Sequence, residues 1–518
     1  MSEAYDAEFI VIGSGPAGVS AAIPLVEAGR RVLMIDGAHP SPLPAGTASE
    51  PPWRRMLGAD LAALRPDDGL SPKLRTPVAL DVIGSFRRWA DLSEDRFFAT
   101  GAMARGGLSQ VWGGFVSELG ADDIHGWPFG VDELAPSYRA VAERIGLSGS
   151  TDDDMADFYG RNGPVQPAAP IGPTADAILQ RYRRRKRRAD FALGLARNAM
   201  LTVVHGERQA CDLSLACLWG CARGAIYDAR QDIAALRRHD NFAIRDGVTA
   251  LRLAPALRGW EIATAPGGPP LRAARIVLAA GTLGTLRLAI PLLGIEKTVL
   301  RLLNSPVMAM PLLVTRRLGQ PAPTRGYALA QLGFRLDYGA APTDYVTGGL
   351  YETVALPPAS FAARLPLGRR AATVLFNALA PALAITTVYF PGHCSANEVA
   401  VDLSGGQVRI GLRGGVSDDF DAVARRVRRR LNTIWRRLGA RPLPGATVAV
   451  AGTDAHFGGL FPMGLDDVQG TSRFGELNAA PGVHLVDGAV LPTVSAKFTT
   501  FTIMANADRI GRHLASVA

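Results

Sequence analysis

Phe9-Ile-Val-Ile-Gly13-Ser-Gly15-Pro-Ala-Gly18, then Val19 to Gly29, then Arg31-Val-Leu-Met-Ile-Asp36, is the stretch that decides the fold. The apolar run 9–12 suits a buried parallel strand. Residues 19–29 have the pattern of a helix, and 31–35 form a second apolar strand that ends on an acid. Strand, glycine turn, helix, strand and acid is the order of a dinucleotide-binding unit. In that unit Gly13 makes the tight turn, Gly15 lets a diphosphate approach the backbone, and Gly18 lets the helix pack closely on the sheet. Ser14, Pro16 and Ala17 complete the turn, and the start of the helix faces the phosphates. Asp36, followed by Gly37, stands where a carboxylate accepts a hydrogen bond from a ribose hydroxyl. The position near the start of the chain favours FAD over NAD. No second glycine signature follows, which argues against a pyridine-nucleotide site. No Cys-x4-Cys pair follows the first helix, which argues against a disulfide reductase.

Working outward, the chain has 518 residues, a length that suggests roughly three domain-sized units, and with 48% hydrophobic and 20% charged residues it has an ordinary globular composition. Lysine and arginine number 56, aspartate and glutamate 47, so the net charge is +9. Much of the basic excess sits in two runs, Arg181 to Arg188 and Arg425 to Arg430 with Arg436 and Arg437. In the second run Val423, Val427, Leu431, Trp435 and Leu438 recur at helical spacing, which predicts an amphipathic helix with a basic outer face. That face has two readings, a solvated surface or peripheral contact with an anionic membrane. Nucleic acid is disfavoured, because no aromatic residues alternate with the basic ones as a stacking platform.

The acids in residues 1–8 do not resemble a secretory leader, and four cysteines cannot form a disulfide scaffold. A cytoplasmic location is expected. Residues 371–390 read as a helix followed by a strand, with Asn377 and Pro381 interrupting any membrane span. The spacing Cys211-x5-Cys217-x3-Cys221 is not that of a zinc site, Cys394 is remote, and no metal is expected. Residues 39–55 and 318–325 read as surface loops, and 356–370 as a lid or entrance.

Four further segments, in order, resemble the glucose-methanol-choline oxidoreductase family. They are Arg105-Gly-Gly-Leu-Ser-Gln-Val-Trp-Gly-Gly114; Gly126-Trp-Pro128 with Leu134 to Tyr138; Ala274 to Gly284; and Val483 to Pro492 through Thr502 to Arg509. The resemblance implies an α/β FAD-binding Rossmann-like domain and a substrate domain with a mainly antiparallel sheet. The expected boundaries are 1–160, 205–298 and 451–518 for the first, 161–204 and 299–450 for the second. It further implies that Arg105, Gly107, Ser109, Trp112, Gly113, Gly114, Val248, Ala280, Gly281, Asp487, Gly488, Thr499 and Thr500 bind the cofactor. The loop 106–114 has no histidine, so the FAD is expected to be non-covalent.

In this family a histidine near flavin N5 takes the proton of a substrate hydroxyl while hydride moves to the flavin. His456, in His456-Phe-Gly-Gly-Leu-Phe-Pro-Met-Gly464, matches the family's motif. Histidine suits the task because its pKa lies near working pH. The family's second polar group, Asn or His, falls here on Phe498, which can neither accept nor donate a proton. Lys497, Thr499 and Thr500 flank it: either a neighbour replaces the missing group, with Thr499 and Lys497 the expected ones, or the pocket handles the substrate oxygen differently, or the reaction is not plain alcohol oxidation. The other histidines read as surface or loop residues, with His393 the one to watch. The implied reaction is oxidation of a hydroxyl on a sugar, polyol or natural product, with an unspecified electron acceptor. A monooxygenase using NAD(P)H, a non-redox or light-driven flavoprotein, and a membrane-associated binding protein remain as alternatives.

Overall fold

The structure is a computed structural model and describes residues 5–38, 72–356, 361–362, 365–404 and 407–517. His39 and the segment 39–55 lie outside the described residues, as do parts of the expected lid at 356–370. The strand Ala7–Ile12 is the centre of a seven-stranded sheet, parallel to Val32–Asp36 on one side and Leu271–Leu278 on the other. Phe242–Asp246 continues it in parallel beyond Asp36, and Val483–Leu485 pairs in parallel with Leu271–Leu278. A hairpin, Thr249–Pro255 and Trp260–Ala265, closes the other edge in antiparallel fashion. Ile10, Val11, Met34 and Ile35 are fully buried, as strands covered on both faces must be.

The first helix runs Pro16–Glu27, three residues earlier than the apolar periodicity predicts. Proline fits the first helical position, where its missing N–H costs nothing. The last helix, Thr499–Val517, is amphipathic and packs on the first.

A second seven-stranded sheet is antiparallel throughout, running Arg441–Pro442, Val307–Leu313, Leu383–Tyr389, Tyr345–Glu352, Leu332–Asp337, Phe191–Leu195, with Thr447–Val448 beside Val307–Leu313. The basic helix Phe420–Arg437 covers one face of it. Its Trp435 meets Phe334 edge-on at 5.6 Å, while Arg425, Arg428, Arg429, Arg436 and Arg437 face outward. Residues 371–390 divide as expected into the helix Arg369–Leu379 and the strand Leu383–Tyr389. Among the described residues no helix is long and apolar enough to cross a membrane, and no three or more cysteine, histidine or acidic side chains gather as a metal-binding cluster.

A smaller five-stranded sheet joins Lys297–Asn304 to Asn397–Asp402 and Arg409–Arg413. Its edge carries the two-residue strand Phe457–Gly458, paired with Leu303 and Asn304. This places His456 at the junction of the sheets.

Candidate active site

At the carboxyl ends of the parallel strands lies a cavity with about 1210 Å³ of empty space, its open mouth included. Crevices at such strand ends are where open α/β sheets bind ligands. Gly13, Ser14, Gly15, Pro16 and Ala17 line it. Gly13 has φ +105°, and a Cβ there would lie 2.3 Å from the Ala279 carbonyl oxygen, so only glycine lets the turn pass the neighbouring strand. At Gly15 a Cβ would meet only Gly107 Cα, at 3.9 Å, and would otherwise project into the cavity. Helix Pro16–Glu27 begins there with no side-chain cap, leaving first-turn amides for an anion. The open cradle and uncapped amides fit a diphosphate. Gly18 is turned away, against the Gly13 carbonyl and Ala279 Cβ.

Asp36 lies at the cavity wall beside Gly37. Its Oδ2 accepts from the Ser14 amide at 2.9 Å and from the Ser14 hydroxyl, and its Oδ1 accepts from the Ala38 amide at 2.7 Å. Burial raises its carboxyl above the ordinary range despite those bonds. Ser14 also accepts at 2.9 Å from the Gly106 amide, joining the first turn to the second glycine loop. From that loop Gly107, Ser109 and Trp112 line the cavity. Arg105 does not: it pairs with Asp246, Nε to Oδ1 at 2.8 Å, on the strand beside Asp36. Gly113 borders a neighbouring cavity, and Gly114 packs by Leu329 and Ala199.

Val248, Ala280, Gly281, Asp487, Gly488 and Thr500 also line the first cavity. Asp487 accepts from Thr285 Oγ1 at 2.5 Å and from the Ala489 amide at 3.0 Å, and burial raises its carboxyl to about 6. Phe86, Trp89 and Met103 supply an apolar wall that the sequence reading did not include. Phe86 and Trp89 belong to the helix Pro77–Ala90, whose Thr76 accepts from the Ala79 amide as its cap.

The chain around His456 is fixed by a buried polar network. Asp454 Oδ1 accepts from Asn304 Nδ2 at 2.8 Å, and Oδ2 accepts from the Ser305 amide at 3.0 Å. The His456 amide points to the same carboxylate at 3.4 Å, and burial raises that carboxyl to about 6. Ala455 is left-handed, φ +58°, and with Phe457 it lines the first cavity. The imidazole between them lies 5.4 Å from the Tyr389 ring and 5.9 Å from the Phe498 ring, centroid to centroid. Its Nδ1 is sealed with no hydrogen-bond partner, while Nε2 is not enclosed. Burial without a compensating charge lowers its pKa to about 4, so the ring is neutral at neutral pH.

Phe498 stacks on Phe115 at 4.1 Å and meets Tyr389 edge-on at 5.2 Å. Thr499 begins the last helix, its hydroxyl buried with no partner. Lys497, expected as a substitute catalytic group, is directed elsewhere: Nζ donates to the Glu118 carbonyl at 2.9 Å and pairs with Asp123 at 3.1 Å. Of the two neighbours, Phe498 is the one that faces His456. His393 is exposed, with Nε2 3.3 Å from the Tyr338 hydroxyl, and has no place in the site. His484, read as a surface or loop residue, is buried in a parallel strand, its Nδ1 3.2 Å from the Phe474 carbonyl oxygen. Tyr389 and Tyr351 were missed. The alternation of Ile385, Thr387 and Tyr389 along one strand carries the signal for a shared face.

Comparison with known proteins gives two sets of relatives. Over 257 residues the chain is 33% identical to paromamine 6'-oxidase of Streptomyces fradiae, covering 48% of this chain and 41% of that protein. Over 252 residues it is 29% identical to 6'''-hydroxyparomomycin C oxidase of Streptomyces lividus, covering 47% and 41%. The matched part thus spans about two fifths of the curated relatives. No protein-family model matches. Among solved structures the chain is similar to pyridoxine 4-oxidase from Mesorbium loti, with TM-score 0.57, 17% identity, and coverage of 99% of this chain and 100% of that one. It is also similar to a variant of the formate oxidase of Aspergillus oryzae RIB40 studied for FAD modification, with TM-score 0.62, 13% identity, and coverage of 100% and 99%. At these identities the structural likeness is one of fold.

Proposed function

We propose that this chain, which has the fold of the glucose-methanol-choline oxidoreductases, is an FAD-dependent enzyme that oxidises a substrate CH–OH group to a carbonyl. One observation carries the reading: an unprotonated imidazole, His456, stands between two residues that line the dinucleotide-shaped cavity. Bound FAD would supply the acceptor for the hydride leaving the carbinol carbon. His456 supplies the base. The proton of the hydroxyl passes to Nε2, the ring nitrogen that is not enclosed, and an alcohol so relieved of its proton is a far better hydride donor.

Other residues create the setting. Gly15 and the uncapped first turn of helix Pro16–Glu27 would hold the diphosphate, and Asp36 would accept from a ribose hydroxyl. The last helix begins at the cavity, with Thr500 and Ile503 in its wall, and its partial positive charge favours an anion there. Phe498, Phe115 and Tyr389 exclude water on the side of His456 where the family places a polar group. Thr499, whose sealed hydroxyl lines neither cavity, makes no contact with the ligand, and Lys497 keeps a structural role. With no histidine in 106–114, the cofactor is dissociable.

The two curated relatives are named as oxidases of paromamine and 6'''-hydroxyparomomycin C. A sugar or related ring alcohol is therefore the proposed substrate, and the ring faces of Tyr389 and Phe498 suit the C–H face of such a ring. Anaerobic mixing of the yellow protein with a panel of alcohols tests the reading. Loss of flavin absorbance with carbonyl formation is expected. Bleaching by NADPH alone would point instead to a monooxygenase, and turnover without bleaching to a non-redox or light-driven flavoprotein.

A further inference from the structure

We propose that Lys73 marks a subsite for an anionic group of the substrate, a carboxylate or phosphate, in a second cavity that adjoins the cofactor cavity. This rests on the reading of the cofactor cavity as the place of alcohol oxidation. Ser109 and Trp112 line both cavities. Lys73 lies in the wall of the second, on the short turn Pro72–Arg75 that leads into the capped helix Pro77–Ala90.

The Lys73 ammonium has no hydrogen bond or ion pair among the described residues. Its Nζ lies over the face of Tyr351, 3.6 Å from the ring centroid. A ring face offers less than the water that burial removes. Burial accordingly lowers its pKa to about 7. Asp228, the one carboxylate lining this cavity among the described residues, is taken by Arg230, whose Nε donates at 2.8 Å. The Cys217 thiol nearby is pushed up to about 12 by burial and brings no negative charge. Among the described residues the cavity thus holds an amine that is only partly charged at neutral pH, and a bound anion would draw it fully to the ammonium form.

A line of side chains connects this cation to the base. The Tyr351 and Tyr389 hydroxyls both interact with Thr387, on the same sheet face, and the Tyr389 ring lies beside His456. A substrate reaching across these side chains would present its hydroxyl to His456 and its anionic end to Lys73. The two tyrosines and Thr387 would contact the part between. Uncharged alcohols would lack the anchor.

The experiment measures binding of benzoate, phenyl phosphate and benzyl alcohol to the FAD-loaded protein by titration calorimetry. All three are titrated anaerobically into protein whose flavin is reduced beforehand, so no hydroxyl is oxidised and this arm is independent of turnover. Benzoate or phenyl phosphate is expected to bind at least tenfold more tightly than benzyl alcohol, and which of the two does so identifies the anion. Lys73→Met should abolish the preference and Lys73→Arg should retain it, with Lys73→Gln as a second neutral variant should the methionine protein not fold. Anions that bind no better than benzyl alcohol, or a preference that survives both neutral substitutions, would overturn the subsite. Anaerobic flavin reduction by 4-(hydroxymethyl)benzoate and benzyl alcohol tests the underlying reading separately. Anion binding through Lys73 with no reduction by any alcohol would remove the oxidation reading and leave the subsite. Reduction of flavin with no anion preference would do the reverse.

Discussion

His456 sits where its own charge is opposed. With no partner for Nδ1 and aromatic rings on two sides, the imidazolium is destabilised and the neutral base prevails. The sign for activity follows: the active form is unprotonated, so activity is retained above a pKa of about 4 and lost as pH falls through it. The acid limb of kcat/KM should fall well below the ordinary histidine value of about 6.5. Asp454, raised to about 6, is the other group that titrates nearby, and a limb that moves in Asp454→Asn belongs to it. A limb at 6.5 or above that persists in that variant would contradict the burial argument. Lys497 gives the opposite kind of prediction. Its side chain is 8% exposed and that of Asp123 4%, so Lys497→Met strands a buried carboxylate. Stability should fall by about 3–5 kcal/mol in a denaturant titration, while the rate per folded molecule stays close to wild type. His456 was legible because a motif carries it. Tyr389 and Lys73 were not, since only folding brings the turn at 73 against Tyr351 and the strand end at 389 against His456.

At the scale of elements, the glycine turn separates two roles that look alike in sequence. At Gly13 a Cβ collides with the backbone of Ala279, whereas at Gly15 it enters the cavity. Gly13→Ala should therefore lower the melting temperature sharply. Gly15→Val should give a folded, colourless protein, read from the ratio of flavin to protein absorbance and from thermal melting. Equal effects of the two on folding would contradict this division. The first strand, helix and second strand were readable because their apolar runs are bounded by glycine and an acid. The helix Pro77–Ala90 carried an equally clear signal in Ala79, Val82, Ile83, Phe86 and Ala90, all buried. Its part in the cavity was not readable, because it depends on which way the helix faces after a long intervening segment. The helix Phe420–Arg437 buries the residues its periodicity selects, but that periodicity does not say which sheet receives them.

Across the whole molecule, the cavity draws on stretches that are far apart in the chain: 12–17, 35–37, 100–112, 248–250, 279–284, 455–457 and 487–503. A ligand touching so many segments should stabilise the folded state as a unit. Saturation at one hundred times Kd adds about 2.7 kcal/mol, so removing FAD should lower the melting temperature and adding it back should restore it. Heat or acid precipitation should leave the flavin in the supernatant; flavin retained on the pellet would contradict dissociable binding. Fold class and the order of the landmarks were readable from local signatures. The three-sheet arrangement that carries His456 to the cavity was not, because the pairing of Phe457 and Gly458 with Leu303 and Asn304 spans about 150 residues of sequence with no local mark. The most direct measurement is the rate constant of anaerobic flavin reduction by a saturating alcohol, in the wild type and in His456→Ala, with FAD content matched. The account predicts a fall of about a hundredfold or more with the flavin still bound. An unchanged rate would contradict it.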